Sequence, residues 1–347
     1  MGTSTCTAAI LSPRYDCFHC FIYCMLEMLM SIYRCITRCE QQGAVLSLTE
    51  GAPRRRRPAK IVYEDGWSPW RPICHRQLSS ILNASPDSFT QGEFILVSDR
   101  QSDASFLIHH FLSFYLRARC RVWFLGLVQS FNHYSAVSQR LGVSLAQAKE
   151  KGQLVFLEGL KESLSVLIPQ DTNTGSKAMD FLRDPGVGLK SLYEFVRSSV
   201  SSSGSRAEGA EEWGPPVLLV DDLSVLLSLG VSVGAVLDFS HYCRATVCSE
   251  LQGNVVMLAR CDGEEEEGDG DDEGSETLLK GLTHQCSLTL HVQGLPTGFC
   301  RDIHGQVEVC WRRRQGDGQS TQKKLFQYKV HDKGASFFAP GTSSAVL

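Results

Sequence analysis

Residues 94–116 read FILVSDRQSDASFLIHHFLSFYL, and the way this stretch divides decides the fold. Phe94–Val97 is apolar without a break, the mark of a strand buried on both faces. A polar loop, Ser98–Ser105, follows it. Apolar residues then recur at helical spacing through Phe106–Leu116, at Phe106, Leu107, Phe111 and Phe114, with His110 on the same stripe. A buried strand that passes through a short polar loop into a helix is the opening unit of a parallel α/β sheet.

The same alternation continues outward in both directions. A short amphipathic segment, Gln77–Asn83, leads into the first strand. Arg121–Val128 is a second buried strand, Tyr134–Leu141 is helical, and Gln153–Leu157 is a third strand ended by Gly159. Leu189–Val200 is an amphipathic helix, and the Ser/Gly/Glu-rich stretch 201–214 follows as a loop. Pro215 and Pro216 open a fourth strand, Val217–Val220, which ends in Asp221-Asp222. Gly234–Cys248 is a further helix and Asn254–Ala259 a fifth strand. Strands apolar on both faces that alternate with helices predict a mostly parallel sheet with helices on both sides.

Past an acidic run the pattern changes. Ser287–Val292, Val307–Arg312 and Phe326–Val330 alternate apolar and polar residues, and His304-Gly305 reads as a hairpin turn. These segments predict a C-terminal antiparallel β-meander on one edge of the sheet. Five βα units closed by a meander is the organisation of a RecA-type domain, and the fold class expected is therefore α/β. Its expected extent is residues 76–347.

The net charge of −4 conceals a segregation. Residues 1–75 hold nine Lys/Arg against six Asp/Glu, and residues 76–347 hold 25 against 32. Ten of those 32 acids fall within 262–276, so the rest of the body is +3 (−7 plus 10). A mildly basic body with one acidic tether is compatible with nucleic-acid contact. The acidic stretch 262–276 is expected to be a disordered loop. Of 14 cysteines, the seven beyond residue 75 are scattered singly in apolar segments, as reduced thiols of an intracellular protein are. The expected compartment is the cytoplasm, with the nucleus second.

Residues 1–75 do not share this grammar and read as a disordered extension or a misassigned first exon. The apolar run 17–36 approaches a membrane span, but Glu27 and Arg34 interrupt it, and no membrane association is expected. Cys17, Cys20, Cys35 and Cys39 have a spacing that a zinc ribbon could use, yet a greasy stretch without turn residues separates the pairs, and no metal is expected. Arg54–Arg57, after Pro53, is a basic run that a nuclear address could use, and it is read as solvated linker.

In a working phosphate loop the first strand runs into G-x-x-x-x-G-K-[ST], whose glycines let backbone amides wrap the phosphates while the Lys neutralises them. Here Asp99 stands at the first Gly, Ala104 at the second, Ser105 at the Lys and Phe106 at the hydroxyl. Two carboxylates, Asp99 and Asp103, line a loop that would have to hold a triphosphate. Asp221 and Asp222 keep the outline of a magnesium-binding strand end, although Asp222 or Ser224 capping a helix near Val225 accounts for them as well. These positions are vestigial, and no cofactor is expected. His109 and His110 lie in the following helix, with only one expected to face the core. His241 and Cys243 are two apart on a helix and point in different directions. No nucleophile–base pair emerges, and the chain is read as no enzyme. The competing reading, an ATP-dependent DNA recombination or repair paralogue, needs nucleotide at Asp99–Phe106.

Long, idiosyncratic stretches carry a resemblance: residues 106–160, PPVLLVDDLSVLLSLG (215–230), VLDFSHYCRATVC (236–248), GFCRDIHGQ (298–306), SFFAPG (336–341) and SAVL (344–347). From about residue 77 onward the chain resembles the family of the sixth subunit of Elongator. That resemblance implies a RecA-type fold without working nucleotide motifs, placed beside subunits four and five in a heterohexameric ring. It further implies docking of the ring on the catalytic lobes and contact with tRNA, in a complex that modifies the wobble uridine to carboxymethyl-type derivatives such as 5-methoxycarbonylmethyluridine. The bases bracketing the meander's turn, Arg312, Arg313, Arg314, Lys323 and Lys324, are the candidate nucleic-acid contacts, with ordinary edge-strand charge as the other account of them.

Overall fold

The computed structural model describes residues 74–82, 84–100, 102–167, 177–201, 213–261, 273–296, 298, 300–315 and 318–342. The apolar run 17–36 with its cysteines, the arginines 54–57, loop residues 202–212 and acidic residues 262–272 lie outside them. The strands are β1 (Phe94–Arg100), β2 (Cys120–Gly126), β3 (Leu154–Glu158), β4 (Gly214–Val220), β5 (Asn254–Cys261), β6 (Leu288–Gln293), β7 (Gly305–Gln315), β8 (Gly318–His331) and β9 (Gly334–Phe338). They form one sheet of nine strands in the order β3-β2-β4-β5-β1-β6-β7-β8-β9. The helices are α1 (Cys74–Leu82), α2 (Ser105–Arg117), α3 (Phe131–Arg140), α4 (Leu145–Glu150), α5 (Gly159–Leu167), α6 (Lys190–Ser201), α7 (Ser224–Ser228), α8 (Val233–Arg244) and α9 (Glu273–Gln285).

β1 to β6 pair in parallel, and β6 to β9 pair antiparallel, consistent with the RecA-type organisation expected from the sequence. The unbroken apolar strands divide between two cores. Ile95 and Val97 of β1 face the core shared with α2, whereas Phe94 and Leu96 face the one shared with α8 and α9. The α2 core runs on across the sheet through Leu288, Leu290, Val292, Val307, Val309 and Tyr328. The opposite core stops at β1, because α9 packs over β5 and β1 and reaches the second face of β6–β8 only at its C-terminal end, around Thr283.

Several boundaries differ from the sequence reading. β6 is parallel to β1 (Ile95↔Leu288 through Arg100↔Gln293), so the segment read as the start of the meander belongs to a sixth βα unit. Its crossover helix, α9, includes Glu273 and Glu276, which composition alone assigned to the acidic loop. His304-Gly305 is no hairpin turn. Gly305 pairs with Tyr328 inside the sheet, and a Cβ there would lie 2.5 Å from the Gln293 carbonyl oxygen. Pro216 lies within β4, where the ladder with β2 shifts register between Cys120 and Arg121, so a proline without an N–H is accommodated at an irregularity. His109 and His110 are both buried, since α2 is covered on all sides from Leu107 to Leu116.

Candidate functional site

β1 does not stop at Val97. It pairs with both neighbours as far as Arg100, so the strand takes up the first three residues of what the sequence reads as a loop. What remains of the turn is closed on itself. Asp99, 3% exposed, accepts a 3.0 Å hydrogen bond on Oδ2 from the Ala104 amide. Asp103 Oδ1 accepts from the Ser105 amide at 2.9 Å, and its Oδ2 accepts from the Ser105 hydroxyl at 2.8 Å. In a phosphate loop, amides at the start of the helix point at the ligand. Here two such amides are bonded to carboxylates of the chain itself.

The positive charge in the site is also internal. Arg260, next to last in β5, donates from Nε to Asp222 Oδ2 at 2.8 Å and from Nη2 to Asp103 Oδ1 at 3.4 Å. Its guanidinium thus bridges the vestigial loop and the end of β4, the gap that phosphate and its cation would fill. Burial pushes Asp99 up to about 6, with the neighbouring Asp222 and Asp103 charges adding to it against Arg260 and the Ala104 amide. Burial likewise raises Asp222 to about 6, opposed by the Ser224 amide and Arg260. For Arg260, burial pulls its pKa down, but Asp222, Asp99 and Asp103 outweigh that and the net shift is upward.

Asp221, the other carboxylate at the end of β4, faces a different partner set. It accepts from the Leu127 amide at 2.7 Å, the Val128 amide at 3.0 Å and the Tyr134 hydroxyl at 2.8 Å, all from the turn after β2 and the helix α3. It is a tie between adjacent βα units. Asp222 Oδ1 accepts from the Ser224 amide at 2.9 Å, but the N-cap of α7 is Leu223 and takes no side-chain cap, so neither Asp222 nor Ser224 stands at the capping position. Phe106 stacks on Tyr328 with ring centroids 4.9 Å apart, and Ser102 Oγ lies 3.2 Å from the Tyr328 hydroxyl. The position that would hold magnesium instead packs the meander against α2.

The five candidate nucleic-acid cations lie on the β7–β8 hairpin. Arg313 and Arg314 pair in register with Ser320 and Gln319. Lys323 forms a 3.0 Å ion pair with Glu308, Arg312 donates to the Thr283 carbonyl of α9, and the Lys324 ammonium sits 5.5 Å from the centre of the Trp311 ring. Lys323 and Lys324 alternate, so one lies on each side of the hairpin. Elsewhere, His109 is lowered to about 4 by burial and by His133 and His110, and lies with its ring 5.0 Å from that of Tyr134. Burial raises Cys120, Cys248 and Cys286 to about 12 and pushes Cys243 up as well, which leaves these thiols inert. His241 is exposed and Cys243 buried, as their spacing predicts.

A family model described as Elongation complex protein 6 matches residues 75–332, a span that holds every part of this site. The chain belongs to that family. It is 66% identical over 271 residues to a zebrafish (Danio rerio) protein named Elongator complex protein 6, covering 78% of this chain and 99% of the relative. The human (Homo sapiens) protein of that name is 52% identical over 273 residues, with the same coverage. A Dictyostelium discoideum protein of that name is 23% identical over 328 residues, covering 74% of this chain and 92% of the relative.

Within this member of the family, sequence reasoning found the carboxylates but missed Arg260 and Tyr134. Arg260 had a signal. It follows the apolar run NVVMLA, and ligands of parallel sheets gather at the carboxyl ends of strands, so a cation there sits in the site. Tyr134 had none, because its bond to Asp221 spans 87 residues.

Proposed function

We propose that this chain is a non-catalytic subunit of Elongator, standing beside subunits four and five in a heterohexameric ring of RecA-type domains. The names of its relatives support membership of the complex. One observation carries the loss of nucleotide chemistry: the Ala104 and Ser105 amides are bonded to Asp99 and Asp103, and Arg260 fills the space beside them. A triphosphate would have to displace two carboxylates and break the Arg260–Asp222 pair before making a contact. A domain that has lost its ligand but kept its sheet flanks is suited to assembly. In this reading the chain provides scaffold for wobble-uridine modification of tRNA in cytoplasm and nucleus. The hairpin that carries Arg312, Arg313, Arg314, Lys323 and Lys324, with the two lysines on opposite sides of it, supplies part of a tRNA-binding surface.

The test is co-purification. Residues 77–347 should elute with the fourth and fifth Elongator subunits as a single large species, and elution as a stable monomer with both partners present would sink the ring. Equilibrium titration of the isolated chain with a fluorescent ATP analogue addresses the recombinase reading. No magnesium-dependent binding is expected up to about 100 μM, where a working site of ordinary affinity would be saturated.

A further inference from the structure

The second face of β6–β8 is open beyond the end of α9, and strand alternation places polar side chains on it among the apolar Leu279 and Cys310. Apolar Leu288, Leu290 and Val292 turn toward the α2 core while Thr289 and His291 turn the other way. With Glu308 and Arg312 of β7 and Thr321 and Lys323 of β8, they line a groove of about 430 Å³ walled on one side by the end of α9 at Thr283 and His284. We propose that this groove is a phosphate-binding site, taking a phosphomonoester or one phosphodiester of a polynucleotide.

The argument is one of charge and donor inventory. Arg312 and Lys323 bring two positive charges and Glu308 one negative, a net +1 that matches a single phosphodiester. Both cations are held in place but not exhausted. Arg312 uses one donor on the Thr283 carbonyl, and Lys323 uses one on Glu308. The Lys323–Glu308 pair is exposed on the lysine side and is worth little, so a phosphate can compete for that ammonium. The Thr321 hydroxyl adds a neutral donor, the Thr289 hydroxyl is engaged with Cys310, and His291 is held with Nδ1 3.0 Å from Ser98 Oγ. Arginine's planar fork and a hydroxyl donor on a fixed sheet suit the oxygens of phosphate. The vestigial loop on the α2 side of the sheet, by contrast, presents carboxylates where a ligand would lie. This inference rests on the reading of Arg312 and Lys323 as nucleic-acid contacts and narrows it to one groove, but it is independent of the ring, whose test is co-purification.

The full chain is titrated by calorimetry with three probes: inorganic phosphate, adenosine monophosphate, and an oligouridine lacking terminal phosphates. Arg312→Gln and Lys323→Gln should each weaken binding about fivefold or more, and the Glu308→Gln variant, which frees Lys323 without adding a cation, should tighten it about threefold or more. Arg140→Gln removes the same charge from an exposed helix end away from the groove and should leave binding unchanged. Binding of phosphate and the monophosphate alone identifies a small phosphomonoester as the ligand, and binding of the oligouridine identifies a polynucleotide backbone. Weaker or unchanged binding in Glu308→Gln, equal losses in Arg140→Gln and Lys323→Gln, or no binding of any probe would overturn the site. Misfolding cannot imitate a gain in affinity.

Discussion

Asp99 ends up buried at the edge of the site with its carboxyl held at about 6 by desolvation, against an ordinary 3.8. The folded state therefore binds a proton more tightly than the unfolded chain does. Between about pH 4 and pH 6 the native state carries the extra proton, so this residue's contribution to stability falls as pH rises through that window and is level above it. Asp99→Asn keeps an oxygen for the Ala104 amide and removes the charge. It should flatten that part of the pH profile and raise stability at pH 7.5 by about 1–2 kcal/mol, read by urea unfolding at several pH values. Burial raises Asp221 as well, but its carboxylate accepts from two backbone amides and the Tyr134 hydroxyl, so truncating it leaves those donors unpaired. Asp221→Ala should cost about 3–4 kcal/mol in the same measurement. A carboxylate retained only to hold magnesium would show almost no stability loss. Both residues were visible in the sequence as acids in the wrong or right place for nucleotide chemistry. Their partners were not, since Arg260 and Tyr134 reach them across the sheet order.

The strands of the parallel half were legible because being buried on both faces leaves no choice of residue, and runs such as VLLV at Val217–Val220 announce themselves. β6 misled because its alternation is real. One face is in the core and the other is open, the signature of an antiparallel edge, although its partner β1 runs parallel. Its direction is set by α9, whose short apolar set (Leu278, Leu279, Leu282) follows directly on the acidic run. Glycines at strand starts are a further feature that sequence cannot interpret. Gly253 precedes β5, and a Cβ there would sit 2.1 Å from the Pro216 carbonyl oxygen, a backbone atom that cannot rotate away. Gly253→Ala must separate β4 from β5 at their shared end. A loss of about 2–4 kcal/mol by thermal or urea unfolding is expected, well beyond the effect of an ordinary loop glycine.

Across the whole molecule, the disabled phosphate loop has become a joint. At the far edge of the sheet β8 and β9 pack against α2, and Phe106 is the contact between them. Its ring stacks on Tyr328 at 4.9 Å and lies 6.4 Å from Phe337 of β9, while Ser102 adds its 3.2 Å contact to the Tyr328 hydroxyl. Tyr328 is 3% exposed and belongs to the same core as α2, so the joint continues the main core. That explains why an aromatic residue occupies the place of the magnesium-binding hydroxyl: the position is under the demands of packing, and a serine there would leave a gap between two layers. Phe106→Ser restores the nucleotide-binding residue type and should restore no nucleotide binding. It should instead cost about 2–3 kcal/mol. The loss should also be local. Amide hydrogen exchange should quicken in β9 and in residues 327–331 of β8, while β2 and β4, whose pairing does not involve the joint, keep their protection. Uniform acceleration across the sheet would mean that the meander and the parallel strands unfold as one body and that Phe106 is an ordinary core residue.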